Sequence, residues 1–323
     1  MRRVKSRRIE ERTPDGVLRE GTELTFRELL QWGCRELDSV KIENSETDAR
    51  ILLEHAFKMS REQYLLRANE PAPEPGMTED GNGEKKVSPT EYYRSLIRHR
   101  KSHIPVQYLT NVQNFMGYDF FVTEDVLIPR QDTEVLAETV WNAFRKMPEP
   151  PLSLLDLCTG SGCLAISLAK MCGFSEIVAT DLSDRALRIA TFNGKKILDE
   201  QERKRISFCQ GDLFEAVPAG KTFDMIVSNP PYVTEEEMKE LQPEVGQHEP
   251  EMALFAPENG LYFYRRISQR AGEFLKPGGM IFFEIGCSQA DAVSGLLESN
   301  GFKDVFVQKD LAGLDRVVGA TWP

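Results

Sequence analysis

Residues Leu152–Cys163 read LSLLDLCTGSGC, and this stretch decides the fold. Four leucines around Asp156 make a short apolar run of strand length. Thr159-Gly160-Ser161-Gly162 then breaks the run, and the following CLAISLAKMC has the length and composition of a helix. A buried strand that passes through a glycine turn straight into a helix is the opening unit of an α/β sheet.

Downstream, the alternation continues. Strands are expected at Glu176–Thr180, Ile206–Cys209, Phe223–Val227 and Met280–Ile285, with helices at Ser183–Asp199 and Leu261–Leu275. Strand–helix alternation implies a parallel, doubly wound sheet. Asp304–Gln308 and Arg316–Thr321 close the chain as two strands joined too briefly for a crossover, so that pair is antiparallel.

Upstream, the pattern is helical. Thr25 and Glu28 form a capping box ahead of Leu29, Leu30, Trp32 and Leu37. Further helices fit Ser45–Phe57, Ser60–Leu66 and, behind Ser88-Pro89-Thr90-Glu91, a run to about Lys101. Between them, Glu70–Lys86 is rich in proline, glycine and acids and reads as a loop or disordered insertion. Phe115, Tyr118, Phe120, Phe121 and Val122 flank Met116-Gly117 as a β-hairpin, and Asp132 opens a helix to about Lys146. The expected organisation is a basic tail (1–24), a helical domain (25–103, insertion 70–87), a hairpin linker (104–127) and an α/β domain (128–323).

Composition narrows the class. The chain has 323 residues, 41% hydrophobic and 28% charged, as in an ordinary globular protein. No apolar run is long enough to span a bilayer, and no secretory signal is expected from the basic start. Six cysteines without a CxxC pair and four scattered histidines point to a reducing, cytoplasmic setting and to no metal. A net charge of −11 disfavours direct contact with nucleic acid, which calls for a positive surface.

Three strand ends carry candidate cofactor chemistry. The Cys158–Gly162 turn lets backbone approach a ligand and presents a helix N-terminus. Asp181, ending the second strand, suits ribose hydroxyls, and Asp212, ending the third, suits an adenine amine. Each aspartate could instead be a simple cap. Together, at successive carboxyl ends, they make a nucleoside-bearing ligand the better reading. The GxGxxG spacing of dinucleotide enzymes is absent, so S-adenosylmethionine is the expected cofactor.

Asn229-Pro230-Pro231-Tyr232 follows the fourth strand. The prolines fix their own φ and hold the residues before them extended. Two outward acceptors, the Asn229 side-chain oxygen and the Pro230 carbonyl, suit a nitrogen bearing two hydrogens, and Tyr232 offers a flat face for stacking. A stiff turn without chemistry is the alternative, but its place after the fourth strand favours catalysis.

Here the chain resembles the protein-(glutamine-N5) methyltransferases that act on peptide-chain release factors. The resemblance runs from about Thr25 to Trp322 and includes Pro105–Thr110, Leu127–Glu134, the glycine loop, Ser228–Val233 and His248–Glu251. It implies a helical N-terminal domain, a hairpin linker and a seven-stranded Rossmann-like methyltransferase sheet. It also implies, as substrate, the glutamine of the Gly-Gly-Gln motif in class I release factors. On it, Cys158, Thr159, Gly160, Ser161, Gly162, Asp181, Leu182, Asp212, Leu213 and Asn229 border the cofactor, while Asn229, Pro230, Pro231 and Tyr232 hold the glutamine. A monomer is expected, with no membrane and no metal. Two residues depart from the usual pattern: Cys158 replaces a common glycine and Gln131 a common proline. A sister enzyme of a large-subunit ribosomal protein and an adenine-N6 DNA methyltransferase are the alternatives. The retained Asp132-Thr133-Glu134 disfavours the first. The acidic charge and the lack of a basic recognition domain disfavour the second.

Overall fold

The computed structural model describes residues 24–74, 76–79, 85–147 and 152–323, so the basic tail lies outside the described residues. The chain divides into two compact units, one up to Ser102 and one from His103.

In the first unit, α1 (Phe26–Asp38), α2 (Ser45–Phe57), α3 (Arg61–Arg67) and α4 (Pro89–Arg100) bury Phe26, Leu29, Leu37, Leu52, Leu53, Tyr93 and Ile97. Thr25 and Ser60 both close capping boxes, and Ser88 caps α4 through the Glu91 N–H. Inside this core the Arg100 Nε donates to Asp48 Oδ2 at 2.7 Å, with both side chains under a tenth exposed. The 70–87 segment corrects the sequence reading. It contains two short antiparallel strands, β1 (Met77–Glu79) and β2 (Lys85–Val87), in register Met77 with Val87. Three-residue strands leave too little alternation to register against the prolines and acids around them.

The second unit starts with α5 (Val106–Thr110) and the hairpin β3 (Gln113–Phe115) and β4 (Tyr118–Phe120). Met116 and Gly117 both take positive φ (50° and 79°), as a tight two-residue turn requires. The hairpin is no free linker. Phe115 and Phe120 are fully buried with Leu136, Ala137 and Val140 of α6 (Gln131–Phe144). That helix begins at Gln131, one residue before the expected Asp132, and its cap position, Arg130, supplies no side-chain bond.

Next come β5 (Ser153–Leu157), α7 (Cys163–Met171), β6 (Glu176–Asp181), α8 (Asp184–Ile197), α9 (Glu200–Arg203), β7 (Ile206–Gln210) and β8 (Phe223–Ser228). They are followed by α10 (Glu235–Met238), α11 (Pro243–His248), α12 (Tyr262–Phe274), β9 (Leu275–Glu284), α13 (Ala290–Ser299), β10 (Lys303–Lys309) and β11 (Asp315–Thr321). The seven strands pair in the order β10-β11-β9-β8-β5-β6-β7, parallel except that β11 lies antiparallel between β10 and β9.

Alternation along each strand sends side chains to both faces. Leu154, Ile177, Met225 and Val227 pack with α6 and α7 on one face, and Leu155, Val178, Ile226 and Phe283 with α12 and α13 on the other. The strand order reverses between β5 and β8, because β6 and β7 extend from one side of β5 and β8 pairs with the other. Ligands of open α/β sheets settle at the carboxyl ends beside such a reversal. No helix among the described residues is long and apolar enough to cross a membrane.

Candidate active site

Where β5 ends, the backbone turns through Cys158 (φ 62°), Gly160 (φ 56°) and Gly162 (φ 80°) into α7. Gly162 is closed against the next helix: a Cβ there would lie 2.9 Å from Ile166 Cδ1 and 3.1 Å from Ala190 Cβ. Gly160 would meet nothing within 4 Å, so the loop leaves open space on its cleft side. Gly162 caps α7 without a side-chain hydrogen bond, leaving first-turn N–H groups for other acceptors. Asn193 of α8 fixes the loop from behind. Its Nδ2 donates to the Ser161 carbonyl and the Phe121 carbonyl, both at 3.0 Å, and its Oδ1 accepts from Phe121 N–H at 2.7 Å.

Asp181 ends β6 beside this loop. Its Oδ2 accepts from Gly160 N–H at 2.8 Å and its Oδ1 from Ser183 N–H at 2.9 Å. Burial pushes its carboxyl up, opposed by these backbone donors. Each oxygen keeps a lone pair for another donor. Asp156, fully buried in β5, accepts from Thr159 Oγ1 at 2.6 Å through one oxygen, while its other oxygen has no partner among the described residues. Burial pushes that carboxyl up to about 7. At Cys158, burial and then the charges of Asp181 and Asp156 push the thiol well above its usual range.

Cys158, Thr159, Gly160, Ser161 and Asp181 line a cleft together with Leu182, Ser183, Gly211, Asp212, Leu213, Asn229 and Pro231. Its wall also includes Pro129, Arg130 and Thr133 from one segment and Pro250, Met252 and Phe263 from later in the chain. Glu249, buried, ties the two segments together. Its Oε1 accepts from Arg130 Nη2 and its Oε2 from Ile128 N–H at 3.2 Å.

Ten of the thirteen sequence-predicted positions reach this cleft; Gly162, Pro230 and Tyr232 do not line it. Gly162 is turned onto α8, as above. Tyr232 is half-buried beside the cleft. Its ring packs against the α12–α13 face of the sheet, and its hydroxyl donates to Glu284 Oε1 at 3.3 Å. Gln289 Nε2 holds its carbonyl at 3.1 Å. It anchors the corner from behind. Among the described residues nothing donates to the Pro230 carbonyl. Asp212 is also less free than its sequence position implies, since both its oxygens accept from Arg266, at 3.0 and 2.8 Å.

Sequence reasoning did not single out Arg266 or Glu284, and it named Glu249 and Thr133 only within motifs, without their partners Arg130 and Asn229. Asn229 Nδ2 donates to Thr133 Oγ1 at 3.2 Å. Glu284, buried at the carboxyl end of β9, was the most findable, as an acid closing the apolar run MIFFE. Burial pushes its carboxyl up to about 7; the Thr133 hydroxyl, Arg316 and the Tyr232 hydroxyl pull against that, and Asp132 adds to it.

Comparison with known proteins gives this arrangement a family. The PrmC N-terminal domain model matches residues 28–78 and the methyltransferase small domain model residues 132–246. A release factor glutamine methyltransferase of Geobacter sulfurreducens is 37% identical, over 91% of this chain and 96% of its own. The chain belongs to the release factor glutamine methyltransferase family. A second member, from Clostridium acetobutylicum, is 38% identical over 84% of this chain and 89% of its own. A solved release factor-specific protein-(glutamine-N5) methyltransferase from Alicyclobacillus acidocaldarius is 32% identical, covering 63% of this chain and 99% of that one, with a TM-score of 0.37.

The cofactor of this methyltransferase is S-adenosylmethionine. The residues present fit it. Ser161 Oγ is buried in the cleft lining without a partner among the described residues. Leu182 is 57% exposed on the cleft wall, opposite in character to the carboxylate of Asp181 beside it. An uncapped helix end, a spare carboxylate lone pair and an apolar ledge match a carboxylate, a ribose and an adenine respectively.

Proposed function

We propose that this chain methylates the side-chain nitrogen (N5) of the glutamine in the Gly-Gly-Gln motif of class I peptide-chain release factors. The observation that carries the reading is Asn229-Pro230-Pro231-Tyr232, set directly after β8 at the rim of the cleft that the glycine loop and Asp181 enclose.

In this reading, the Cys158–Gly162 loop and the α7 N-terminus hold the carboxylate end of S-adenosylmethionine. Asp181 accepts from its ribose, with Leu182 and Leu213 against the adenine. Asp212, oriented by Arg266, keeps one lone pair on each oxygen for the adenine amine. The bound cofactor supplies an electrophilic sulfonium methyl.

The protein's part is orientation. An amide nitrogen is a poor nucleophile because its lone pair is shared with the carbonyl. Asn229 Oδ1 and the Pro230 carbonyl each accept one N–H, which turns the remaining lone pair toward the methyl for in-line transfer. Pro231 stiffens the corner and Tyr232 anchors it. A methylated amide nitrogen is acidic enough to lose its proton to water, so no general base is assigned. The Thr25–Ser102 helices are the release-factor-binding module in this reading. The enzyme acts as a cytoplasmic monomer without direct nucleic-acid contact, in keeping with its net charge of −11.

Mass spectrometry of a purified release factor after incubation with enzyme and S-adenosylmethionine tests this. One added methyl on the Gly-Gly-Gln glutamine is expected. Methylation of a ribosomal protein or of duplex DNA, with the release factor left untouched, would overturn it.

A further inference from the structure

An asparagine amide has two ends of nearly equal shape and opposite chemistry. Oδ1 accepts and Nδ2 donates, so a half-turn of the group would aim an NH2 at the substrate's own NH2. A corner that reads an amide nitrogen therefore needs something to choose between these states. We propose that Thr133 and Glu284 are positioning residues forming a relay that fixes the Asn229 amide with Oδ1 toward the cleft. This rests on the reading of Asn229 as an acceptor for the glutamine nitrogen.

Three observations carry it. Asn229 Nδ2 donates to Thr133 Oγ1 at 3.2 Å, and both residues line the cleft. Thr133 is almost fully buried in the first turn of α6, so bulk water does not compete for its hydroxyl. The Glu284 carboxyl is fully buried: its Oε1 accepts from the Tyr232 hydroxyl at 3.3 Å, its Oε2 has no hydrogen-bond partner among the described residues, and the Thr133 hydroxyl lies near enough to favour its charged form.

A threonine hydroxyl alone would not select an orientation, because it can either donate its one hydrogen or accept. Glu284 removes that freedom. Once ionised, which burial delays to about pH 7, the carboxylate only accepts, so the Thr133 hydrogen is drawn to it and the lone pairs of Oγ1 are left facing Asn229. A reversed amide would then set Oδ1 against an oxygen lone pair in a buried site, where such a mismatch is costly. Burial favours the neutral acid; of the groups facing Glu284, Thr133 of α6, Arg316 of β11 and Tyr232 of the corner favour the ionised form and Asp132 of α6 opposes it. The same carboxylate thus grips both ends of the corner: Asn229 through Thr133, and Tyr232 directly.

The test compares Thr133→Val with Thr133→Ser in full-length enzyme, using release factor and S-adenosylmethionine. Valine keeps the shape and loses the acceptor; serine keeps the hydroxyl. Thr133→Val is expected to lower kcat by about ten- to a hundredfold. KM for release factor and Kd for cofactor should stay within about twofold, and Thr133→Ser should recover most of the rate. A second readout does not need turnover. In the wild-type enzyme one Asn229 side-chain N–H should exchange slowly by NMR, and Thr133→Val should abolish that protection. Wild-type kcat in Thr133→Val, an equal loss in both variants, or a loss confined to KM would overturn the relay. Should the wild-type enzyme leave release factor unmethylated, the substrate reading fails instead, and Asn229 exchange still judges the relay.

Discussion

Glu284 makes the stability of this enzyme depend on pH in a direction opposite to that of ordinary paired carboxylates. Its side chain is fully buried at the carboxyl end of β9, and burial raises its pKa from 4.5 to about 7. The folded state therefore holds this proton more tightly than the unfolded chain does. The resulting contribution is complete below about pH 4.5 and is lost as the pH rises through about 7. A rise of roughly 2.5 units corresponds to about 3 kcal/mol. Glu284→Gln removes the titration while keeping an acceptor for Tyr232. Urea unfolding from pH 5 to pH 9 checks this. The variant should gain stability relative to wild type as the pH increases, by about 3 kcal/mol across the range, and then hold level. Asp156, raised to about 7 by the same cause, remains in both proteins and cancels in the difference. Parallel stability profiles would refute the reasoning, since they would mean that Glu284 ionises as easily folded as unfolded.

Three more perturbations follow from the site. Glu249→Ala breaks the tie from the Pro250 segment to Arg130 and Ile128. It should cost about 2–3 kcal/mol by urea unfolding, less than a fully buried pair because Arg130 is 37% exposed, and should weaken cofactor binding by calorimetry. Cys158 sits at φ 62°, where a β-branched side chain is most strained. Cys158→Val should therefore destabilise by about 1–3 kcal/mol and Cys158→Gly by less, the reverse of the order at an ordinary buried position. Gly260→Ala would bring a Cβ to 2.2 Å from the Tyr232 carbonyl at φ 79°. It should lower melting temperature, with a loss of at least about 2 kcal/mol, and reduce kcat by shifting the corner.

Much of this architecture was legible because it is local. The glycine loop, Asp181 and Asn229 each follow a strand directly, and turn chemistry together with apolar runs fixes where strands end. The closing antiparallel pair was legible from the short connection alone. What stayed hidden depends on partners distant in the chain. Thr133 and Asn229 are 96 residues apart, Arg266 and Asp212 54, and Glu249 and Arg130 119. No spacing rule joins such residues before the sheet brings them together. Helix α13 escaped for a different reason: its stripe of Ala290, Val293 and Leu297 is short and has Gly295 within it. Residue type likewise does not reveal that the Tyr232 hydroxyl donates to a buried carboxylate 52 residues away.

The most direct trial of the central claim is a crystal structure of the enzyme with the demethylated cofactor and a Gly-Gly-Gln peptide. The glutamine nitrogen should lie about 3 Å from both Asn229 Oδ1 and the Pro230 carbonyl, with Asn229 Nδ2 still on Thr133. A glutamine nitrogen bound elsewhere in the cleft, or an Asn229 amide turned to donate to the substrate, would contradict the account.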